Sequence, residues 1–446
     1  MKKQVAAALT DALLSQPPRL APLVACCADV LGSRPAWLRL LVRELLKSYG
    51  ERWDQRSRAG ILEAILASPL FGHAWIGGGH LRVRQYVLAP PRMAPGPDSF
   101  EACRPDLPTQ ADLARWLDLE PQVLEGIVRS LQYRDAAAPE ALQHYRYRWL
   151  AKRSGGFRLL EVPKPRLCAV QRKILTGLLE YLPPHEAAHG FRRARSCRTH
   201  AAQHVGQAVV VRLDLQDFFL NVGAGRVRAL FRSLGYPDGV AHWLTVLCIH
   251  RAPKAVAEAF EPPGHAPELR AVQWRAVRRL RSPHLPQGAP TSPALANLCA
   301  FALDVRLQAA ADACGANYSR YADDLTFSGD RAFQRAVERF IPLAGAIAAD
   351  EGFAVNFRKT RVMAQSTRQH VTGVVVNEGV NVDRRYYDRI KATLHNCRRF
   401  GAASQTDLPL PEFRLKLAGH VSHIGACNPE RGRRLKAMLA EIVWDA

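Results

Sequence analysis

With 446 residues, 48% of them hydrophobic, the chain is longer than one ordinary domain and has ample material for a buried core. Its 62 Lys and Arg against 40 Asp and Glu leave a formal charge of +22, which favours a polyanionic partner such as nucleic acid; a basic surface that serves solubility is the plainer alternative. Ten cysteines without a CxxC pair, a start interrupted by Thr10 and Asp11, and no apolar run of ~18 residues argue against a zinc site, a signal peptide and a membrane partner, and predict a soluble cytoplasmic protein.

Residues 1–88 read as a helical N-terminal extension. Leu38, Leu41, Val42, Leu45 and Leu46 recur at spacings of three and four, and Ile61, Ile65 and Leu66 continue the pattern. Pro90, Pro91, Pro95 and Pro97 make 89–107 a predicted linker. From Thr109, the run TQADLARWLDLEPQVLEGIV predicts two short helices, the first capped by Thr109; a helix-turn-helix DNA reader fits the same pattern, but paired packing helices are commoner. Beyond Tyr145, strands are predicted at Phe157–Val162, Ala208–Leu215, Tyr318–Phe327 and Val371–Val376, with helices at 168–181, 294–313 and 332–350. This interleaving predicts an α+β sheet domain. From Tyr386 to Ala446 the pattern returns to helix, with basic residues throughout.

Two clusters carry chemistry. Tyr321-Ala322-Asp323-Asp324 sits between β-like runs, and adjacent carboxylates repel unless a divalent cation takes both; in a surface turn such a pair is usually just solvated. Asp214 closes the apolar run Val209-Val-Val-Arg-Leu, where an unpaired charge would cost several kcal/mol. A strand-end acid given to a metal explains it better. Three carboxylates from two strands can hold two Mg²⁺ ions about 3.5–4 Å apart for phosphoryl transfer. His200 and His204, at i and i+4, also admit a metal site, but no third ligand accompanies them.

The tract His284-Leu-Pro-Gln-Gly-Ala-Pro-Thr-Ser-Pro resembles the LPQG fingerprint of bacterial reverse transcriptases. Tyr321–Asp324 resembles their YADD box and Asp214–Phe219 their first catalytic-acid motif. Lys152–Arg158, Ala188–Ser196 and Gly352–Thr360 resemble further motifs in the same order, so that the likeness runs from about 145 to 380. Val371-Thr372-Gly373 is similar to the VTG element of the retron type. His200-Ala-Ala-Gln-His204 is similar to the retron Asn-Ala-x-x-His element, with histidine in place of the leading asparagine.

The resemblance implies a right-hand polymerase with fingers and palm at 108–380, a basic insertion at 251–283 and a helical thumb at 381–446. It makes Asp214, Asp323 and Asp324 the catalytic acids, binding two Mg²⁺ (or Mn²⁺ as substitute) with the Leu215 backbone carbonyl. Lys152, Arg158, Asp217, Phe218, Phe219, Gln287, Gly288 and Lys359 are implied nucleotide contacts. Phe219 would block a 2′-OH, a core aromatic being the plainer reading. Lys359 would protonate pyrophosphate, a phosphate clamp or surface lysine being the alternatives. Tyr321, Arg192, Arg193 and Arg195 fall to primer and template, the arginines being otherwise simply solvated. His200, His204, Val371, Thr372 and Gly373 fall to RNA recognition. His420–Pro429 resembles a thumb element, followed by the basic residues Arg431, Arg433, Arg434 and Lys436.

The implied function is copying a cognate structured non-coding RNA into single-stranded DNA from dNTPs, primed from a guanosine 2′-OH. This gives a branched RNA–DNA hybrid, in antiphage defence beside a separate effector protein. The alternatives are a group II intron-like or other defence-associated reverse transcriptase, and a catalytically idle RNA-binding protein that kept the fold.

Overall fold

The computed structural model describes residues 1–16, 18–49, 58–77, 81–86, 93, 104–132, 143–151, 157–259, 274 and 276–444. They fall into two units, Met1–Arg92 and Met93–Ala446. In the first, helices Lys2–Leu14, Leu20–Leu31, Ala36–Tyr49, Arg58–Ala67 and Pro69–Ile76 pack around Leu9, Leu13, Leu23, Leu38, Leu41, Ile61 and Phe71. The spacing of three and four seen in the sequence puts Leu38, Leu41, Val42 and Leu45 on the buried face.

The second unit opens with helices Gln110–Trp116 and Pro121–Gln132. Thr109 and Asp112 form a reciprocal capping box at the first, as Thr109 predicted. Strands β1 (Tyr145–Ala151) and β2 (Phe157–Pro163) form an antiparallel hairpin. The central sheet has β3 (Val209–Asp214), β4 (Ala316–Tyr321), β5 (Asp324–Gly329) and β6 (Arg361–Ala364) in the order β4-β5-β3-β6, antiparallel throughout. A small sheet of β7 (His370–Val371), β8 (Val374–Val375) and β9 (Asn381–Val382) follows. Helices Arg384–Phe400, Leu410–Cys427 and Pro429–Ala440 complete the chain.

Strand periodicity fixes which face is chemical. Val209, Val211 and Leu213 join the main core with Phe327, Phe333 and Phe340, while Val210 packs on the opposite side against Met363, Val371 and Val374. Arg212 and Asp214 share the parity of Val210, so β3 presents them on the face away from the main core.

Three predicted elements break where the backbone turns. The single strand expected at Tyr318–Phe327 is a hairpin, because Ala322 takes φ +57° and reverses the chain between β4 and β5. The strand expected at Val371–Val376 reverses at Thr372 and Gly373, φ +46° and +82°. The helix expected at 294–313 is two helices, Ser292–Cys299 and Phe301–Ala313, meeting at 49°. Strand β1 was not among the predicted strands, since its alternate arginines, Arg146 and Arg148, dilute the apolar signal.

Beneath the β4–β5 turn lies a fully buried arginine. Arg320 Nε and Nη2 donate to Asp304 Oδ1 and Oδ2 at 2.8 and 2.6 Å, and Nη1 donates to Asn297 Oδ1 at 2.9 Å and to the Ala322 carbonyl at 3.1 Å. The Tyr318 hydroxyl donates to Asp304 Oδ1 at 2.8 Å. A buried guanidinium is tolerable only with its charge balanced and its nitrogens engaged; here one carboxylate balances the charge and four hydrogen bonds engage all three nitrogens.

His200 and His204 are also fully buried. His204 bridges the hairpin, with Nδ1 on Ser328 Oγ and Nε2 on Ser319 Oγ, both at 2.7 Å. The His200 ring lies between those of His189 and His204, each 5.7 Å away, with Nδ1 3.5 Å from Thr372 Oγ1. This corrects the expected role: side chains without solvent exposure do not touch RNA, and the pair instead fastens helix Cys197–Ala202 to the palm hairpin and the Thr372 turn. Both His204 nitrogens are taken by serine hydroxyls, which leaves that ring no free nitrogen for a metal. Burial, reinforced by neighbouring histidines, pushes His200 down to about 2 and His204 down to about 3.

Two predictions follow from these buried groups. Asp304→Asn leaves the Arg320 charge buried without its counter-ion, and should destabilise the larger unit by about 3–5 kcal/mol in urea unfolding; a loss under about 1 kcal/mol would contradict the pairing. The two histidines are neutral when folded and take up protons near pH 6.5 when unfolded, so their stabilisation is whole above about pH 6.5 and declines below it. Unfolding free energy should fall by about 1.4 kcal/mol per pH unit for each histidine between about pH 6 and 4. His204→Gln should remove one proton from that slope, and an unchanged slope would refute the assignment.

Candidate active site

Asp214 and Asp324 are direct partners across β3 and β5, and Tyr321 pairs with Asp324 across β4 and β5. Opposed residues share a face, so the two carboxylates leave one side of the sheet at one end, with Asp323 in the adjoining turn. The Leu215 N–H donates to the Asp323 carbonyl at 2.8 Å, which extends the pairing past the strand ends. Gly190 lies against the turn: a Cβ there would stand 2.6 Å from the Ala322 nitrogen, so only glycine fits.

Each strand-end acid faces a cation. Arg212, diagonal to Asp324 on the same face, donates through Nη2 to both its carboxylate oxygens at 3.0 and 2.8 Å. Lys359 Nζ donates to both oxygens of Asp214 at 3.0 and 3.1 Å. It is brought there by the 3₁₀ turn Phe357–Lys359, which is pinned when the Asn356 N–H donates to the Asp214 carbonyl at 2.7 Å. Burial raises the Asp323 carboxyl above its ordinary range, and the charges of Asp214 and Asp324 push the same way; its own backbone N–H and Arg158 pull it back. The three acids therefore feel one another. Asp214 and Asp324 are each paired with a cation, and the three acids form no tight three-ligand cluster among the described residues. The donor set is oxygen only, which suits Mg²⁺ or Mn²⁺ over softer metals.

Around the acids, Asp217 takes φ +44° and opens the 3₁₀ turn Phe218–Asn221. Phe218 is buried against Phe353, ring centroids 5.5 Å apart, with the Arg320 guanidinium 5.4 Å from its ring. The Phe218 ring is thus a support beneath the site, and its burial corrects the expectation that this side chain contacts the nucleotide. Phe219 is half-buried and faces Phe191 at 6.0 Å, which in turn faces Tyr321 at 6.5 Å. Gln287 holds a buried Oε1 without a hydrogen-bond partner among the described residues. Gly288 takes φ +134°, and a Cβ there would lie 3.0 Å from the Glu161 carbonyl. Arg158 is exposed at the start of β2, and Lys152 lies outside the described residues.

The basic run is less free than it looked. Arg192 and Arg195 both grip Glu186, at 2.7 Å each, leaving Arg193 as the exposed member. Of the retron element, Val371 is buried while Gly373 is exposed at the turn tip. Of the 251–283 stretch, 260–273 and 275 lie outside the described residues. Its far end returns to the site, where Arg279 pairs with Asp217 and Leu280 packs with Leu159 of β2. Sequence reading missed Arg212, Phe191, Arg279 and the Arg320 set. Only Arg212, two residues before Asp214, carried a usable signal, through strand parity.

The family described as reverse transcriptase (RNA-dependent DNA polymerase) matches residues 150–376. The chain is 39% identical to the retron Mx65 reverse transcriptase of Myxococcus xanthus, over 76% of this chain and 74% of that protein. It is 37% identical to the retron Mx162 reverse transcriptase of the same organism, over 67% of this chain and 61% of that protein. The retron Ec86 reverse transcriptase of Escherichia coli is 31% identical over 54% of this chain and 65% of its own. With its acids at one end of an antiparallel palm sheet, the chain belongs to the bacterial retron reverse transcriptases and is an RNA-directed DNA polymerase.

Proposed function

We propose that the enzyme copies a cognate structured non-coding RNA into single-stranded DNA, beginning from a guanosine 2′-hydroxyl of that RNA, so that the product is branched. The observation that carries the chemistry is the register opposing Asp214 to Asp324, with Asp323 in the adjoining turn. Asp214, Asp323 and Asp324, with the Leu215 carbonyl, would hold two Mg²⁺ ions, which when bound supply an activated hydroxyl and charge stabilisation for the leaving pyrophosphate.

The remaining roles belong to the chain's own groups. Lys359, already within hydrogen-bond distance of Asp214, is placed to move its charge or a proton onto the pyrophosphate oxygens. Arg158 and Lys152 bind the dNTP triphosphate by charge-assisted contacts. Phe219, braced by Phe191, excludes a nucleotide 2′-OH. The unpartnered Gln287 Oε1 accepts a hydrogen bond from nucleotide or template, and Gly288 lets its backbone approach. The Thr372–Gly373 turn, Arg193 and the exposed thumb residues Arg433 and Lys436 receive the RNA and the RNA–DNA hybrid. The retron resemblance extends the proposal to a cytoplasmic role in antiphage defence beside a separate effector protein.

Asp323→Asn should lower dNTP incorporation on a primed RNA template by roughly a thousandfold or more while RNA binding persists; retained synthesis would remove the acids from catalysis. Lys359→Gln should slow incorporation by about a hundredfold with primed-template affinity unchanged, and an unaltered rate would reduce it to a surface lysine. Branching is tested on nucleic acid that copurifies with the chain expressed from its native locus. A short DNA released by RNase and debranching enzyme, and absent with Asp323→Ala/Asp324→Ala, is expected. An unbranched DNA would leave the polymerase and overturn the 2′-OH priming.

A further inference from the structure

A further ionisable cluster is buried between the β1–β2 hairpin and the loop that carries Gln287 and Gly288. Glu161 of β2 and His284 both have zero exposure, and the acid meets no lysine or arginine among the described residues. His284 Nδ1 stands 2.7 Å from the Ser282 carbonyl oxygen, which can only accept, so Nδ1 carries a hydrogen. Nε2 stands 2.7 Å from Glu161 Oε2. Two acceptors do not meet at that distance, so a proton lies between them and the pair is neutral as a whole. That neutrality is what lets both groups be buried.

The groups around the pair belong to the same layer. Glu161 Oε1 lies 3.7 Å from His250 Nε2, which meets the Tyr147 hydroxyl at 2.9 Å, and the Tyr145 ring lies 3.9 Å from the His250 ring. His250 and His284 exchange backbone hydrogen bonds, both 2.8 Å. The main chain of Glu161 also grips the loop. Its N–H donates to the Gln287 carbonyl at 2.8 Å, and its carbonyl is the atom a Gly288 side chain would strike. Glu161 therefore touches three residues of one short segment, His284, Gln287 and Gly288.

We infer that Glu161 and His284 are positioning residues for the nucleotide: their hydrogen bond sets where Gln287 and Gly288 stand relative to the β1–β2 hairpin. This rests on the reading of Gln287 and Gly288 as nucleotide contacts. A pair serving stability alone would be replaceable by any side chains of similar volume. A positioning pair needs the directional bond, because a loop displaced by a fraction of an ångström weakens its contact with the incoming nucleotide.

The test compares two double variants of the full chain that leave no charge buried. Glu161→Gln/His284→Gln restores an amide hydrogen bond across the gap, and Glu161→Gln/His284→Met fills the same space without one. Each is assayed for dTTP incorporation on poly(rA) primed with oligo(dT), with its melting temperature taken in parallel. We expect the first to keep the dTTP KM near wild type, and the second to raise it about tenfold with kcat changed by less than about threefold. Equal KM values in the two variants, or a KM difference that merely follows partial unfolding in the melting curves, overturn the inference. Gln287→Ala separates this outcome from failure of the underlying reading. A raised KM there, with the two double variants equal, leaves the loop as a nucleotide contact and removes only the positioning role. No KM change in any of the three removes both.

Discussion

The Arg320 guanidinium, sealed from solvent, has its charge balanced by Asp304 and all three nitrogens engaged by Asp304, Asn297 and the Ala322 carbonyl, and the rest of the site stands on that match. A buried charge has few tolerable arrangements, so the helices bearing Asp304 and Asn297 and the turn bearing Ala322 must take one relative position. The same residue ties in the neighbouring loop through its backbone, accepting from the His189 N–H and donating to the Ala187 carbonyl, both at 2.7 Å. Asn297 holds that loop a second time through the Gly190 carbonyl at 2.8 Å. The turn is thus gripped from below by a side chain and from the side by a glycine. Ala322 can keep a left-handed backbone that alanine seldom adopts, because its surroundings over-determine it.

On that fixed turn, strand parity does the rest. Asp214 and Asp324 oppose each other, and the same alternation brings Arg212 within reach of Asp324 from the diagonal position. Lys359 arrives from the other side, on a turn fastened to the end of β3. The two strand-end acids are therefore held opposite each other, each sharing its charge with a cation. Asp323, half-buried in the turn, has its carboxyl raised first by desolvation and then by the charges of Asp214 and Asp324.

Much of this was legible in the sequence and some was not, for physical reasons. Asp214 announced itself because a carboxylate at the end of Val-Val-Val-Arg-Leu has no cheap explanation, and the helices of the first unit followed from their apolar spacing. The two aspartates between β-like runs hinted at a break, but the left-handed Ala322 that makes the reversal was not marked by glycine, asparagine or proline. Arg320 read as one more basic residue in a basic chain. Its partner Asp304 sits in a helix where an acid would ordinarily be solvated, and only the folded chain brings the two together. His200 and His204 were misplaced for the complementary reason: sequence shows two polar side chains on one helix face, while burial and the serine partners on β4 and β5 come from tertiary structure. Arg192 and Arg195 looked available to RNA because Glu186, just upstream, gave no sign of gripping both.

The measurement that bears most directly on the acids as one site is metal binding read apart from turnover. Electron paramagnetic resonance would count Mn²⁺ held by the full chain bound to an RNA template, a chain-terminated DNA primer and the matching dNTP. Opposed carboxylates acting as a single centre predict two bound ions per chain, with Asp323→Asn and Asp214→Asn each losing at least one. Undiminished Mn²⁺ binding in both variants would contradict a metal site built from these three aspartates.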